Sequence, residues 1–329
     1  MTRIVSGIQP TGEPHLGNYL GALRHWVSLQ AEAECFFMVA DLHAITTPQN
    51  PTEVLQRTVD PAALLLAIGI DPERSVFFLQ SRVPQHAQLA WVLNCFTAMG
   101  ELRRMAQFKD KSLRRGETEA TAGLFAYPVL QATDILLYQA DRVPIGEDQR
   151  QHLELTRTIA LRFNARYQET FKIPDPLIAP KAARIMDLRE PRKKMSKSTR
   201  SSAGLLLLTD PPEVVRSKIA AATTDSGCEI RLSTEKPGIS NLITIYSILD
   251  GAGLEHPESL FSGMTYADFK TNLAEKLVDF LRPVQQRYVR VKQERAYIDQ
   301  VLTDGSKRAA TVAEETLTAV HERIGFLGN

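Results

Sequence analysis

Ile4-Val5-Ser6-Gly7-Ile8-Gln9-Pro10-Thr11-Gly12-Glu13-Pro14-His15-Leu16-Gly17-Asn18 begins as a short apolar run, passes through Gly- and Pro-rich residues, and re-emerges into apolar residues at helical spacing. From His15 to about Gln30 that spacing is carried by Leu16, Tyr19, Leu20, Leu23, Trp26, Val27 and Leu29. The reading is strand, tight loop, helix. In open α/β sheets such a junction lies beyond the carboxyl end of a strand, where unpaired helix N–H groups face anions. Gly7, Gly12 and Gly17 are expected to let the backbone approach a nucleotide, and His15 to donate a hydrogen bond to a phosphate oxygen. His15 and Asn18, three apart, share one helix face. Taken alone, the stretch from Gly12 to Gly17 also reads as a plain turn capped by a helix.

The second informative stretch is Lys194-Met195-Ser196-Lys197-Ser198, about 180 residues further on. It lies in a basic segment, Lys181 to Arg200, with eight basic and two acidic residues, a composition expected of an exposed, anion-handling loop. Two lysines on a short segment suit a β,γ-diphosphate that takes up charge as its bridge to the α-phosphorus lengthens. Donors aimed at developing charge are usually the largest catalytic term. An ordinary basic surface loop is the plainer reading, and it weakens once the first motif is counted.

Cys35–Ala40 and Ser75–Gln80 read as further buried strands, and Val143–Gly146 as another strand end; Thr52–Ile68 reads as a helix despite Pro61. Apolar strands separated by helices predict a parallel sheet covered on both faces, an α/β Rossmann-like nucleotide-binding fold. Residues 86–108 read as one amphipathic helix and Asp148–Tyr167 as another. After about Leu208 the pattern turns helical: Pro211–Thr223, Ser240–Leu249, Thr265–Gln300 in one or two pieces, and Ser306–Ile324. The expected division is 1–207 for the α/β part and 208–329 for a helical part, whose last helix can pack back on the first.

Composition narrows the class. Lys and Arg total 39 against 38 acidic residues, so any contact with nucleic acid comes from local basic surfaces and not from a global field. Arg282, Arg287, Arg290, Lys292 and Arg295 form one candidate surface, unless they merely solvate a long helix. Cys35, Cys95 and Cys228 lack metal-ligand spacing and read as reduced thiols of a cytoplasmic protein. No apolar run approaches the roughly 20 residues that span a bilayer. Asp134, within Leu130-Gln131-Ala132-Thr133-Asp134-Ile135-Leu136-Leu137-Tyr138, would be costly if unpaired. It takes either a buried donor of the protein or a donor of a ligand, for which an indole N–H is well suited.

With these stretches stand Gly17-Asn18-Tyr19-Leu20-Gly21-Ala22-Leu23, His43-Ala44-Ile45-Thr46, Gly100-Glu101-Leu102-Arg103-Arg104-Met105, Gln107-Phe108-Lys109-Asp110-Lys111-Ser112, Gly146-Glu147-Asp148-Gln149 and Lys236-Pro237-Gly238-Ile239-Ser240-Asn241. In this order they make the chain resemble the bacterial tryptophanyl-tRNA synthetases, class I aminoacyl-tRNA synthetases, over almost its whole length. The resemblance implies that His15 and Asn18 contact ATP phosphates, that Lys194 and Lys197 hold the leaving pyrophosphate, and that Lys111 is a further phosphate-contacting lysine. It implies an ATP site completed by Gln9, Pro10, Thr11, Gly12, Gly17, Gly146, Glu147, Asp148, Met195, Ser196 and Ser198. Val5, His43, Tyr127, Gln131, Asp134, Val143, Ile145 and Gln149 match positions around the amino acid, with Asp134 on the indole nitrogen.

It also implies Mg²⁺ accompanying ATP without a protein metal cage, tRNA(Trp) and L-tryptophan as partners, an anticodon-reading helical region, and a homodimer. Departures are His15 where the family often has Thr, Val5 for an aromatic, Gln131 for a methionine, and Thr199 for an acid. Loss of stacking surface and gain of an amide are expected to weaken or rearrange the indole pocket. Three rival readings stand beside this one: tyrosyl transfer, since Asp134 also accepts from a phenol; a small-molecule adenylyltransferase; and a catalytically silent RNA-binding relative.

Overall fold

The computed structural model describes residues 1–106, 120–178, 184–196, 202–251 and 260–327, and every statement below concerns those residues. Strands β1 (Arg3–Ile8), β2 (Glu34–Val39), β3 (Val76–Leu79), β4 (Arg142–Pro144) and β5 (Asp175–Leu177) form one parallel sheet in the order β3-β2-β1-β4-β5. The first four coincide with apolar runs that the sequence marks out. Edge strand β5 does not: Pro176 removes a donor there, which an edge position tolerates. The chain lays β2 and β3 on one side of β1 and β4 and β5 on the other. A crevice therefore opens beyond the carboxyl ends of β1 and β4.

Alternation along the central strands builds two cores. Ile4, Cys35, Phe37, Val39 and Phe77 enter one cluster, where Trp26 stacks on Phe37 at 5.1 Å. Val5, Phe36, Met38, Val76 and Phe78 enter the other, where Tyr138 stacks on Phe36 at 4.9 Å. Because side chains of a strand point to opposite faces with period two, continuous apolar runs mean that both faces are covered. Gly7 owes its place to this packing, since a Cβ there would sit 2.7 Å from the Met38 Cγ.

The helix expected over 86–108 is broken. Gln85–Asn94 ends, and Met99–Arg103 begins afresh with the Glu101 carboxylate accepting from the Ala98 N–H at 3.1 Å; residues 107 and 108 lie outside the described residues. A carboxylate at the third helical position that accepts from the N-cap N–H starts a new helix. Pro61 and Pro128 both sit inside helices, Pro51–Ile68 and Ala122–Leu136.

Beyond residue 207 come the helices Pro212–Ala220, Pro237–Asp250, Tyr266–Gln293 and Arg295–Ile324. Their apolar residues, from Val215 to Val320, join the same two cores as the sheet. Tyr266–Gln293 lies against Pro51–Ile68, where Arg287 Nε donates to the Ala67 carbonyl at 2.7 Å and Lys292 pairs with Asp60 at 2.9 Å. Arg282 also pairs with Asp279 on its own helix at 2.8 Å, so three of the five basic residues proposed for nucleic acid engage the protein itself.

The last two helices divide at Glu294. No break occurs at Asp304-Gly305, which the sequence reading treats as a gap between helices. Gly305 is a contact residue: Arg295–Ile324 crosses β3 so closely that a Cβ on Gly305 would lie 1.8 Å from the Phe77 carbonyl oxygen, and the Leu79 N–H reaches Ser306 Oγ at 3.4 Å. Among the described residues, no helix is long and apolar enough to cross a membrane. Gly305→Ala is expected to lower unfolding free energy by about 2 kcal/mol through overpacking, read as a shift in denaturant midpoint at constant slope.

Candidate active site

After β1 the chain turns through Gly12, whose φ of +70° suits glycine, into a helix assembled from Leu16–Asn18, a π-helical turn Tyr19–Leu23, and Arg24–Leu29. His15 caps this helix. Its Nδ1 accepts from the Asn18 N–H at 3.2 Å, while Asn18 Oδ1 accepts from the His15 N–H at 3.2 Å. The reciprocal cap fixes the tautomer, because an accepting Nδ1 leaves the neutral ring's proton on Nε2. His15 is thereby prepared as a donor. Gly17 lies flush against this ring, with a Cβ position 3.1 Å from His15 Nδ1, so its smallness serves the histidine.

The first motif pairs through its backbone with residues 206–208, downstream of the lysine segment. Leu16 N–H donates to the Leu206 carbonyl at 2.8 Å, Leu208 N–H to the Pro14 carbonyl at 3.2 Å, and His15 bridges Leu207 antiparallel. Upstream, Lys194 lies on a hairpin: it bridges Met186, Asp187 N–H donates to the Lys193 carbonyl at 2.9 Å, and Met195 N–H to the Ile185 carbonyl at 3.1 Å. Met195 is buried in the cluster that holds Leu16 and Ile185. Lys194 Nζ stands 3.7 Å from Asp148 Oδ1, an exposed pair across the crevice. Lys111, Lys197, Ser198 and Thr199 lie outside the described residues.

Asn241 secures the hairpin from the helical region. Its amide accepts from the Met186 N–H at 2.8 Å and donates to the Met186 carbonyl at 3.0 Å. This gives Lys236-Pro237-Gly238-Ile239-Ser240-Asn241 a physical role that its composition did not disclose. Gly238 lets the helix approach, since its Cβ would fall 2.0 Å from the Thr223 carbonyl oxygen.

On the second core, Val5 and Val143 are buried together, with Ile145 partly buried beside them. The helix Ala122–Leu136 sets Tyr127, Gln131 and Asp134 near one another in sequence order i, i+4, i+7. Asp134 is the centre of a buried network. Its Oδ1 accepts from Gln80 Nε2 and from His86 Nδ1, each at 2.6 Å, and its Oδ2 from His43 Nε2 at 2.7 Å. His86 Nε2 lies 2.7 Å from the Tyr138 hydroxyl. Burial alone would raise the Asp134 pKa, but the charge and hydrogen bond of His43, then those of His86, outweigh it and hold the carboxyl well below the usual range. Of the two partners left open for Asp134, the protein supplies one.

Tyr127 meets His43 edge-on at 6.3 Å and its hydroxyl lies 2.9 Å from His152 Nε2; burial pushes its pKa up to about 12. Gln131 Nε2 donates to Gln149 Oε1 at 3.2 Å, and Gln149 Nε2 donates to Asp148 Oδ2 at 2.9 Å. Gly146 makes room for Asp148, whose Oδ1 lies 2.8 Å from where a Cβ would stand. A polar line thus runs from the departing residue Gln131 through Gln149 and Asp148 to Lys194. Gln9 is exposed just past β1, with Pro10 buried behind it. Thr11 and Ser196 are half-buried, and Glu147 belongs to the short 3-10 turn Glu147–Gln149.

Sequence reasoning missed Gln80, His86 and Tyr138. A signal existed for His86, which shares its helix face with Leu89 and Leu93 at spacings of three and seven, both fully buried. A histidine in such a row has to find a partner. Among the described residues no cluster of His, Cys, Asp and Glu is able to hold a metal ion.

Residues 1–282 match the model of the class I tRNA synthetases for tryptophan and tyrosine. A Streptomyces avermitilis protein named tryptophan–tRNA ligase 2 is 52% identical over 327 residues, covering 99% of this chain and 97% of its own. The tryptophanyl-tRNA synthetase of Mycoplasma pneumoniae superposes with a TM-score of 0.91 at 38% identity, covering 100% of this chain and 98% of its own. That of Campylobacter jejuni, solved with ADP and tryptophan, superposes at 0.85 and 32% identity, covering 99% of this chain and 100% of its own.

The polar line makes a direct demand on Gln131. Replacing it by methionine removes one hydrogen bond, a net loss of about 1 kcal/mol. Nucleotide affinity, measured by calorimetry, is expected to fall roughly threefold to tenfold through the freed Gln149 and Asp148.

Proposed function

The chain belongs to the class I tRNA synthetases of the tryptophan and tyrosine group, and from that premise we infer that it activates L-tryptophan with ATP and transfers it to the 3′ end of tRNA(Trp). The observation that carries the reading is the pairing of residues 14–16 with 206–208, which sets the His15 turn beside the lysine hairpin. In the first step the tryptophan carboxylate attacks the α-phosphorus of ATP, and the bond to the β,γ-diphosphate breaks. In the second, a terminal ribose hydroxyl attacks the activated carbonyl and AMP leaves.

Catalysis here consists of positioning and charge stabilisation, since a carboxylate is nucleophilic at neutral pH. His15 donates from Nε2 to a phosphate oxygen, with Asn18 holding its ring. Lys194, Lys197 and Lys111 neutralise the leaving pyrophosphate, and Mg²⁺ arrives with ATP as its counter-ion. Gln9, Pro10, Thr11, Gly12, Gly17, Gly146, Glu147, Asp148, Met195, Ser196 and Ser198 surround the nucleotide. Val5, His43, Tyr127, Gln131, Asp134, Val143, Ile145 and Gln149 surround the amino acid. Asp134 Oδ2 takes only one protein donor, so a carboxylate with about four acceptor sites keeps one for the indole N–H.

Residues 1–207 form the catalytic part and 208–329 the part that reads the anticodon end, in a protein that works in the cytoplasm. Homodimer formation is supported by an exposed apolar surface: Trp91 is 73% exposed, Met99 59% and Leu161 54%. Arg162 ties these elements together by its bonds to the Phe96 carbonyl at 2.6 Å and to Glu101.

ATP–pyrophosphate exchange with each of the twenty amino acids tests the reaction: exchange is expected with tryptophan, and turnover of tyrosine alone would overturn the assignment. Lys194→Ala should slow exchange by roughly 10²-fold, the loss of one aimed donor, with the KM for tryptophan near wild type. For the interface, Trp91→Glu is expected to halve the mass measured by sedimentation equilibrium.

A further inference from the structure

Behind Asp134, the carboxylate proposed for the indole N–H, stands a chain of buried groups that no phosphate or backbone chemistry requires. Tyr138, His86, Asp134 and His43 follow one another at 2.7, 2.6 and 2.7 Å, and His86 and Tyr138 are fully buried. A carboxylate only accepts, so the proton on His86 lies on Nδ1 and that on His43 lies on Nε2. With that one proton on the His86 ring, Nε2 accepts from the Tyr138 hydroxyl; with a second, Nε2 donates to it, and Nδ1 donates to Asp134 in both cases. Tyr138 keeps its proton, because burial and the nearby Asp134 charge push its pKa far up.

The two bonds onto Asp134 are therefore fixed in direction, His86 Nδ1 and His43 Nε2 both donating. Gln80 completes the arrangement by filling the second site on Asp134 Oδ1. Two donors saturate Oδ1, one occupies Oδ2, and the carboxylate cannot rotate without breaking three bonds. Buried polar networks of this kind are stiff when every member is satisfied.

We propose that His86, backed by Tyr138, is a positioning residue that locks Asp134 so that Oδ2 alone remains to receive the ring N–H of the amino acid. The inference rests on the assignment of tryptophan as substrate and adds how the chain discriminates by that N–H. A site committed to one hydrogen bond rejects an isostere lacking the donor far more strongly than an apolar pocket rejects a small change of shape. At the same end of the network His43 Nδ1 is buried without a partner among the described residues.

The test compares tryptophan with its benzothiophene analogue, in which sulfur replaces the indole N–H, in ATP–pyrophosphate exchange. His86→Leu removes the donor to Oδ1. It is expected to cut the ratio of kcat/KM for tryptophan over the analogue by roughly tenfold or more, through the KM for tryptophan, with the KM for ATP unchanged. His86→Asn, which keeps a donor near the Nδ1 position, should restore most of that ratio. Tyr138→Phe, which leaves His86 in place without its hydroxyl partner, should lower it less.

A folded His86→Leu chain with the wild-type ratio overturns the proposal. If that variant does not fold, Tyr138→Phe decides: a reduced ratio upholds the proposal, and an unchanged one overturns it. A wild-type chain that activates no tryptophan removes the substrate assignment instead, which is read before any variant is made.

Discussion

Two backbone hydrogen bonds clasp the His15 turn to residues 206–208: Leu16 N–H to the Leu206 carbonyl and Leu208 N–H to the Pro14 carbonyl. They join segments about 190 residues apart in sequence, and each motif is of little use without the other. A capped turn without cations binds an anion but does not stabilise the charge that leaves it. A basic hairpin without the turn has nothing to act on. Burial of Met195 in the cluster that contains Leu16 adds apolar area to the clasp, so the meeting does not depend on charges that ligand binding would alter.

The sheet divides the work between its faces. Period-two alternation sends Ile4 to the core beneath the His15 turn and Val5 to the core that contains Asp134. One strand therefore registers the His15 turn against the Asp134 network to within a residue. The line from Gln131 through Gln149 and Asp148 to Lys194 then links the helix that carries Asp134 to the lysine hairpin with polar groups alone. The amide of Gln131 is what ties the two halves.

The helical region belongs to the same mechanical unit. Asn241 holds both backbone groups of Met186, the residue that pairs with Lys194, so a displacement of the helix Pro237–Asp250 would be felt at the lysine hairpin. The Arg295–Ile324 helix reaches back over β3, and its close approach at Gly305 places C-terminal sequence in the core of the N-terminal sheet. Arg287 and Lys292, basic residues on a long helix, are held by Ala67 and Asp60. Their charge is directed at the protein, and the surface left for RNA is narrower than composition implies.

Sequence alone determined what local order can encode: the strand–turn–helix at residues 4–29, the apolar strands of a doubly covered sheet, the twin lysines and the cost of burying Asp134. Those readings rest on periodicity, backbone freedom and desolvation, which act within a few residues. Tertiary structure decided what depends on separation in space. It broke the helix expected over 86–108, carried the last helix through Gly305, admitted Pro176 to an edge strand, and surrounded Asp134 with Gln80, His43 and His86. A carboxylate announces in sequence that it needs donors, but the identity of those donors is set by which helices the sheet brings together.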